Sequence, residues 1–458
     1  MVNIGASFPQ KLTHICCIGA GYVGGPTSAV MAMHWPDIHF TVADHDAQRI
    51  SSWNSPHLPV YEPGLDDIVK RQRTKNLTFT TDIDQAIRQA DMILIAVNTP
   101  AMQSTGFGRA PDLRSLEKCV RRIAQVAETD KIIVMRSTVP CRTSAWVEEI
   151  LRGNGRAQFA VLSNPEFLSE GTAVRDLLSP DRVIIGGAHT LAVQMLRNLY
   201  LQWVPEQRIL AMDVWSAELA KLAANAMLAQ RVSSVNALSA ICERAGAHVQ
   251  NIITAIGSDQ RLGSEFLQAS VGFGGPCLQK DVMSLIWLSE SLDLPEVAAY
   301  WAQVLEMNAF QTRRFAQTIV QFAKGCRVAC LGFAYKSGTG DARNAPAAEV
   351  CQFLLSAGCR LAIFDPKVPE QHVCERLEER GCEMAHVTVC QSELEAASGA
   401  QAVVVLTAWP QFASLDWAAV YEGMEKPAHV FDGQLVLQPE AMRSLGFHVY
   451  QIGHPGAP

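Results

Sequence analysis

The chain has 458 residues, more than one hydrophobic core usually supports, so two or three domains are expected. Apolar residues make up 48% and charged residues 18%, a globular balance that excludes a disordered chain. A net charge of -7 without a long Lys/Arg block argues against nucleic acid or an acidic membrane surface as the main partner, which leaves a small-molecule substrate. Thirteen cysteines, scattered without paired CxxC or Cys/His spacing, read as reduced thiols with no structural metal site. The opening "MVNIGASFPQK" lacks an apolar core of signal-peptide length, and no run of about 18 apolar residues follows, so a cytoplasmic protein is expected. In that setting the Asn76-Leu77-Thr78 sequon is idle.

Short apolar runs alternate with helical-length segments through the first half. "HICCIGAG", "HFTVAD", "LTFTT", "DMILIAV", "KIIVMRSTV", "FAVLSNPE" and "RVIIGG" read as buried strands of a parallel α/β sheet. From Val214 some thirty residues carry no strand signal; their Ala, Leu and Met content predicts one long helix ending near Gly246. Helical periodicity resumes from Lys280 to about Phe322. Then "CRVACLGFAYK", "RLAIFDP", "HVTVC", "AVVVLTAW", "HVFDG" and "FHVYQI" restore the strand–helix alternation. The expected fold is α/β: two Rossmann-like, doubly wound parallel-sheet domains, residues 1–213 and 326–458, joined by a helical region at 214–325.

"HICCIGAGYVGGPT" sets Gly19, Gly21 and Gly24 in GxGxxG spacing between a predicted strand and a predicted helix. Glycine there permits the tight turn and lets the backbone approach a pyrophosphate on the helix N-terminus. The motif alone is weak, but Asp44 closes the second predicted strand twenty residues after Gly24, where a carboxylate binds adenosine ribose hydroxyls and repels a 2′-phosphate. The combination predicts NAD rather than NADP, with nearby Arg49 as the residue that could reverse the preference. "AVNTPA" and "RSTV" end strands where ligands bind such sheets. The far half lacks GxGxxG and offers Lys336 and Arg343 after its first strand, which suggests either a different phosphate ligand or solvated surface charge.

"VGFGGPCLQKDV" places Cys277 after Pro276, in the first turn of a predicted helix, where the helix terminus favours a thiolate. A cysteine is more commonly a small core residue. Asp281 follows one turn later on the same face, able to hold a neighbouring group or a water. Lys221 and Asn225 share one face of the long helix; a lysine on such an apolar helix ordinarily snorkels to solvent. In "SNPEFLSEG", Glu166 beside Pro165 and Phe167 is either a base with a raised pKa or a structural carboxylate.

Taken together, "ICCIGAGYVGGPT", "WNSPHLPVYEPGL", "VNTP", "STVP", "LSNPEFLSEGTA", "PDRVIIGG", "KLAANAMLAQRVSSVNA", "AIGSDQR", "ASVGFGGPCLQKDV", "DPKVP" and "FDG" resemble the UDP-glucose 6-dehydrogenases, animal-type enzymes especially, over nearly the whole chain. The resemblance implies an N-terminal NAD domain, a central helical dimerisation region and a C-terminal domain for the UDP sugar. It implies a homo-oligomer, a dimer or a hexamer built from dimers, and oxidation of the C6 alcohol of UDP-glucose to a carboxylate with two NAD and water. By the same resemblance Cys277 is the nucleophile, Lys221 and Asn225 steady charge on the C6 oxygen, Asp281 and Thr138 position water, and Glu166 is an acid/base. Tyr22, Val23, Val97, Thr99, Ser137, Glu170 and Arg343 join Gly19, Gly21, Gly24, Asp44 and Arg49 as cofactor contacts. Phe167, Leu168, Phe273, Gly274, Tyr335, Lys336 and Gln434 are implied substrate contacts, and Arg261 reaches a neighbouring subunit's substrate site.

Three features depart from the resemblance. Gln434 stands where relatives carry the arginine of "FDGR", Gln268 where a lysine is usual, and the loop "NTPAMQSTGFGRAPDL" is short. "MRSTVP" also replaces "EKSTVP". These changes keep two rivals open: the same chemistry on another nucleotide sugar, such as a UDP-hexosamine or GDP-mannose, and a non-catalytic nucleotide-binding homologue.

Overall fold

The computed structural model describes residue 8 and residues 11–102, 109–153 and 157–455. The chain forms two compact units, residues 1–224 and 225–458. Their division falls inside one continuous helix, Val214–Ala245, which the Ala- and Leu-rich composition favours and which stops before Gly246 at φ +79°.

The first unit is built on eight strands: β1 (His14–Ile18), β2 (His39–Ala43), β3 (Leu77–Thr80), β4 (Met92–Ile95), β5 (Lys131–Met135), β6 (Phe159–Ser163), β7 (Val183–Gly186) and β8 (Ile209–Met212). They lie in the order β3-β2-β1-β4-β5-β6-β7-β8. Successive residues face opposite sides, so Ile15 and Cys17 enter one core and Cys16 and Ile18 the other. That is why these strands read as unbroken apolar runs.

Two expectations need correction here. The sheet is not wholly parallel, because β7 runs antiparallel to β6 through Ser163 and Gly186 and β8 continues parallel to β7. Strand β8, "ILAM", escaped the sequence reading: it is an edge strand of four residues with Leu210 and Ala211 exposed, too short an apolar run to stand out before the long helix.

The second unit carries β9 (Arg327–Leu331), β10 (Arg360–Phe364), β11 (Val387–Val389), β12 (Ala402–Val405), β13 (His429–Asp432) and β14 (His448–Gln451), in the order β11-β10-β9-β12-β13-β14. All its pairings are parallel. Before this sheet come helices Val249–Gly257, Leu278–Ser291 and Pro295–Ala323. The helical stretch expected from Lys280 to Phe322 is thus two helices, interrupted at Leu292–Leu294 where Asp293 takes φ +54° and Pro295 opens the next helix.

The sequon is closed off by the fold. Asn76 is buried and its amide donates to the carbonyls of Ala32, Trp35 and Ile38. Among the described residues no helix is long and apolar enough to cross a membrane.

Candidate active site

In the first unit the turn after β1 forms a nucleotide cradle. Gly19 takes φ +111°, and a Cβ there would strike the Ala96 carbonyl; one at Gly24 would strike the Gly19 carbonyl. A Cβ at Gly21 would meet nothing within 4 Å, so the turn is open at the position where a pyrophosphate approaches the backbone of helix Gly24–His34. Asp44 ends β2 and its Oδ2 accepts the Ala20 N–H at 2.8 Å. Burial works to raise this carboxyl, but N–H groups of Asp46 and Ala20 and the Arg49 guanidinium outweigh it and hold the pKa below the usual carboxylate value. Arg49 lies 3.0 Å from Asp44 and 3.3 Å from Asp46, and is therefore already engaged by two carboxylates. These residues fit a dinucleotide with free ribose hydroxyls.

The ends of β4 and β5 are tied together beside this turn. Thr99 donates to the Thr138 carbonyl at 2.7 Å and Ser137 to the Val97 carbonyl at 2.6 Å, which fixes the strand ends where such sheets open a ligand crevice. After β6, Glu166 Oε2 accepts the Leu168 N–H at 2.6 Å, and its Oε1 lies 3.3 Å from Lys221 Nζ. The two side chains are 8% and 4% exposed. Lys221 therefore does not snorkel; it is a buried cation paired with a carboxylate and 5.2 Å from the Phe167 ring centroid. Arg182 covers the same ring at 3.8 Å.

In the second unit Cys277 is the N-cap residue of helix Leu278–Ser291, one position earlier than the predicted first turn, because the chain leaves Pro276 before closing its first helical bond from the Asp281 N–H to the Cys277 carbonyl. Of the thirteen cysteines, Cys277 alone is exposed. Burial pushes Cys17 and Cys119 up to about 12, which leaves them as core thiols. Asp281, one turn beyond Cys277, is fully buried: Asn225 Nδ2 donates to its Oδ2 at 2.6 Å and Lys280 Nζ lies 2.7 Å from its Oδ1. The carboxylate thus fixes the Asn225 amide.

The glycine run before Cys277 packs tightly against the loop after β9. The Gly275 N–H donates to the Arg343 carbonyl at 3.0 Å, and a Cβ at Gly274 or Gly275 would meet Asn344 or the Tyr335 ring. Phe273 is buried, its N–H held by Asn308 at 2.8 Å. The Lys336 ammonium lies 5.8 Å from the Tyr335 ring centroid, and Arg343 is paired with Asp341. Gln434 donates to the Leu406 carbonyl at 2.7 Å, while the Gln268 amide donates to the Gln434 carbonyl at 3.2 Å. The two departures from the arginine and lysine pattern thus lie side by side, joined through the Gln434 backbone carbonyl and not through the two side-chain amides. Arg261 is exposed and forks onto Asp259 of its own loop.

Residues 13–204 match the NAD binding domain of the UDP-glucose/GDP-mannose dehydrogenase family, residues 215–310 its central domain and residues 329–439 its UDP binding domain. The chain belongs to this family. It is 49% identical to UDP-glucose 6-dehydrogenase 1 of Oryza sativa subsp. japonica, over 97% of this chain and 98% of that one. It is 50% identical to UDP-glucose 6-dehydrogenase of Drosophila melanogaster, over 96% of each. A solved UDP-glucose dehydrogenase from the archaeon Pyrobaculum islandicum superposes with a TM-score of 0.86 at 28% identity, covering 98% of this chain and 99% of that one.

Within this family fold the first unit brings together Gly19, Gly21, Tyr22, Val23, Gly24, Asp44 and Arg49, and separately pairs Glu166 with Lys221. The second unit brings Asn225 to Asp281 and the Phe273–Gly274 segment to the loop carrying Tyr335 and Arg343. The centre of the short loop, residues 103–108, lies outside the described residues. Glu170 opens the turn that leads through Thr172 into helix Ala173–Leu178. Three participants were missed: Glu62, buried against Tyr22; Lys280, on Asp281; and Arg136, buried and donating to Asn164 and the Tyr200 hydroxyl. Lys280 stands beside Asp281 in "QKDV", and Glu62 and Arg136 stand inside "WNSPHLPVYEPGL" and "MRSTVP", but the partners of the last two lie 28 to 111 positions away.

Proposed function

We propose that the chain is an NAD-dependent UDP-glucose 6-dehydrogenase that oxidises the C6 alcohol to the carboxylate of UDP-glucuronate. One observation carries the chemistry: a single exposed cysteine at a helix N-terminus, one turn from a buried carboxylate that holds Asn225. NAD, when bound, accepts one hydride in each of two oxidations. The residues supply everything else.

In this reading the Lys221 ammonium and the Asn225 amide stabilise negative charge on the C6 oxygen as the alcohol loses its proton. The first oxidation leaves an aldehyde. The Cys277 thiolate adds to its carbonyl carbon, forming the C–S bond of a thiohemiacetal whose oxygen takes up a proton. Loss of that proton and of a second hydride equivalent gives a thioester. Water, positioned by Asp281 and Thr138 and deprotonated by Glu166, attacks the thioester carbonyl; the C–S bond breaks, the thiolate is restored and the carboxylate departs. The sum is one sugar, two NAD and one water giving one uronate, two NADH and three protons. Covalent capture keeps the reactive aldehyde from diffusing away between the two oxidations.

Lys336, Tyr335, Phe273, Gly274, Leu168, Phe167 and Gln434 form the contacts of the sugar nucleotide, and Arg343 contacts the cofactor. Helices Val214–Ala245 and Pro295–Ala323 expose Met227, Ile241, Tyr300 and Phe310, an apolar surface suited to a second copy of the chain. Arg261, standing free of its own unit's core, suits the expected role in a neighbouring subunit. Sedimentation of the full chain tests the oligomer; a monomer at micromolar concentration rejects it. Thirteen cysteines without a disulfide support a reducing, cytoplasmic setting.

The deciding experiment supplies purified protein with NAD and UDP-glucose, a UDP-hexosamine or GDP-mannose, and counts NADH per sugar consumed. Two NADH per UDP-glucose is expected. A ratio of one with free aldehyde rejects the four-electron mechanism. Two neutral side chains, Gln268 and Gln434, at positions where the resemblance expects lysine and arginine keep the second reading, another nucleotide sugar, in the panel. Turnover confined to one of the other sugars would establish it.

A further inference from the structure

Glu62 sits in the loop between Asn54 and Leu65, 40 positions from Tyr22 and 109 from Gly171, and is 2% exposed. Three donors converge on its carboxylate. The Tyr22 hydroxyl and the Gly171 N–H both donate to Oε1, the latter at 2.5 Å, and the Ala173 N–H donates to Oε2 at 2.8 Å. Tyr22 belongs to the turn that forms the nucleotide cradle. Gly171, at φ +83°, and Ala173 belong to the segment that begins with Glu166 and Leu168. The Tyr22 hydroxyl also lies 3.2 Å from the Ser169 carbonyl of that segment.

A buried carboxylate is costly unless donors satisfy it, and here the donors come from two functional segments rather than from its own loop. Rotating or removing the group would strand two backbone N–H groups and break the contact with the Tyr22 hydroxyl. We propose that Glu62 is a positioning residue: it locks the Tyr22 ring over the cofactor turn and, through the same carboxylate, fixes the Ser169–Ala173 segment that follows Glu166 and Leu168. This rests on the reading of the first unit as the NAD site. Loss of Glu62 is then felt by both ligands, whereas loss of the Tyr22 hydroxyl alone is felt by the cofactor.

The test uses the full-length protein with Glu62→Gln, Tyr22→Phe and the double variant. NADH affinity is read by fluorescence titration, and KM is read for NAD and for UDP-glucose. Glutamine keeps the shape but must turn its NH2 toward a donor, because all three partners of Glu62 donate. Glu62→Gln should weaken NADH about tenfold and raise KM for both NAD and the sugar. Tyr22→Phe should weaken NADH at least threefold and leave the sugar KM unchanged. The double variant should bind NADH no more weakly than Glu62→Gln, because the two changes break one contact. Glu62→Gln that lowers the melting temperature while NADH affinity stays at the parent value makes Glu62 a packing group only and overturns the proposal. Additive losses in the double variant also overturn it. If Glu62→Gln fails to fold, Tyr22→Phe decides: unchanged NADH affinity rejects the assignment. A parent protein that binds no NADH would instead reject the cofactor reading on which the proposal stands.

Discussion

The two sheets repeat one architecture with different chemistry at the same place. β3-β2-β1-β4-β5-β6 and β11-β10-β9-β12-β13-β14 share one strand order, and each first strand ends in a glycine of positive φ, Gly19 and Gly332, packed against the next strand's exit. Each second strand ends in an aspartate that receives N–H groups from the first turn: Asp44 from Ala20, and Asp365 from Phe333 and Ala334. There the likeness stops. Asp365 is also taken by the Lys367 and Val368 N–H groups and by the Trp409 indole, so its oxygens are committed to the protein. Asp44 keeps fewer partners, and the open Gly21 has no counterpart, since "GFAYKSG" places Lys336 in that loop. A fold sets where a nucleotide can bind, and a handful of turn residues set which one.

The largest test separates chemistry from cofactor binding. Cys277→Ala should reduce uronate formation by at least about a thousandfold while NADH titrates as in the parent, because the thiol belongs to the second unit and the cofactor turn to the first. Turnover within tenfold of the parent would take Cys277 out of the mechanism.

Next comes the Glu166–Lys221 pair, which has no counterpart in the second sheet. Lys221→Met should strand a buried carboxylate and cost about 3–5 kcal/mol of unfolding free energy, together with catalysis. Urea titration measures it, and a loss below about 1 kcal/mol would mean that water already reaches the pair.

The two aspartates are separated by cofactor choice. Asp44→Asn should raise NADP efficiency relative to NAD by about ten- to a hundredfold, since it removes charge beside the adenosine ribose and releases Arg49. Asp365→Asn should leave that ratio unchanged. Steady-state kinetics with both cofactors decide it.

Gln434 sharpens the comparison at the other nucleotide site. Gln434→Arg should tighten UDP-glucose about tenfold, read in KM rather than kcat, because a forked cation replaces a neutral amide. Weaker binding in calorimetry would move weight to another sugar.

The smallest effect is in pH. Asp44 has a lowered pKa, so its ionised form adds stability above the unfolded value of about 3.9, and that share is lost as pH falls through the folded pKa. Asp432, at the end of β13, has the opposite sign: burial raises its pKa against the donors from Leu437, Gln451 and Gln434. Its ionised form costs stability above about 3.9, and acidification through its folded pKa relieves that cost. Melting temperatures of the parent, Asp44→Asn and Asp432→Asn between pH 7 and 3.5 should diverge in opposite directions.

Much of the fold was legible because both sheets are buried on two faces. Apolar runs such as "DMILIAV" and "AVVVLTAW" have no amphipathic alternative, and Gly19 and Asp44 announce the nucleotide turn by spacing alone. Strand β8 escaped because four apolar residues directly before a long helix carry no strand period of their own, and the reversal of β7 because direction is a matter of pairing rather than composition. Cys277, Asp281, Lys221 and Asn225 were visible as residue types at helical spacing. Their states were not: whether Lys221 is solvated or paired depends on Glu166, fifty-five positions earlier in the chain. Sequence determined the strands, the cradle and the inventory of reactive groups, since these follow from local geometry and periodicity. Only tertiary structure decided which thiol is exposed, which lysine is buried and that Glu62 serves Tyr22, because burial and long-range hydrogen bonds depend on segments the chain brings together only when folded.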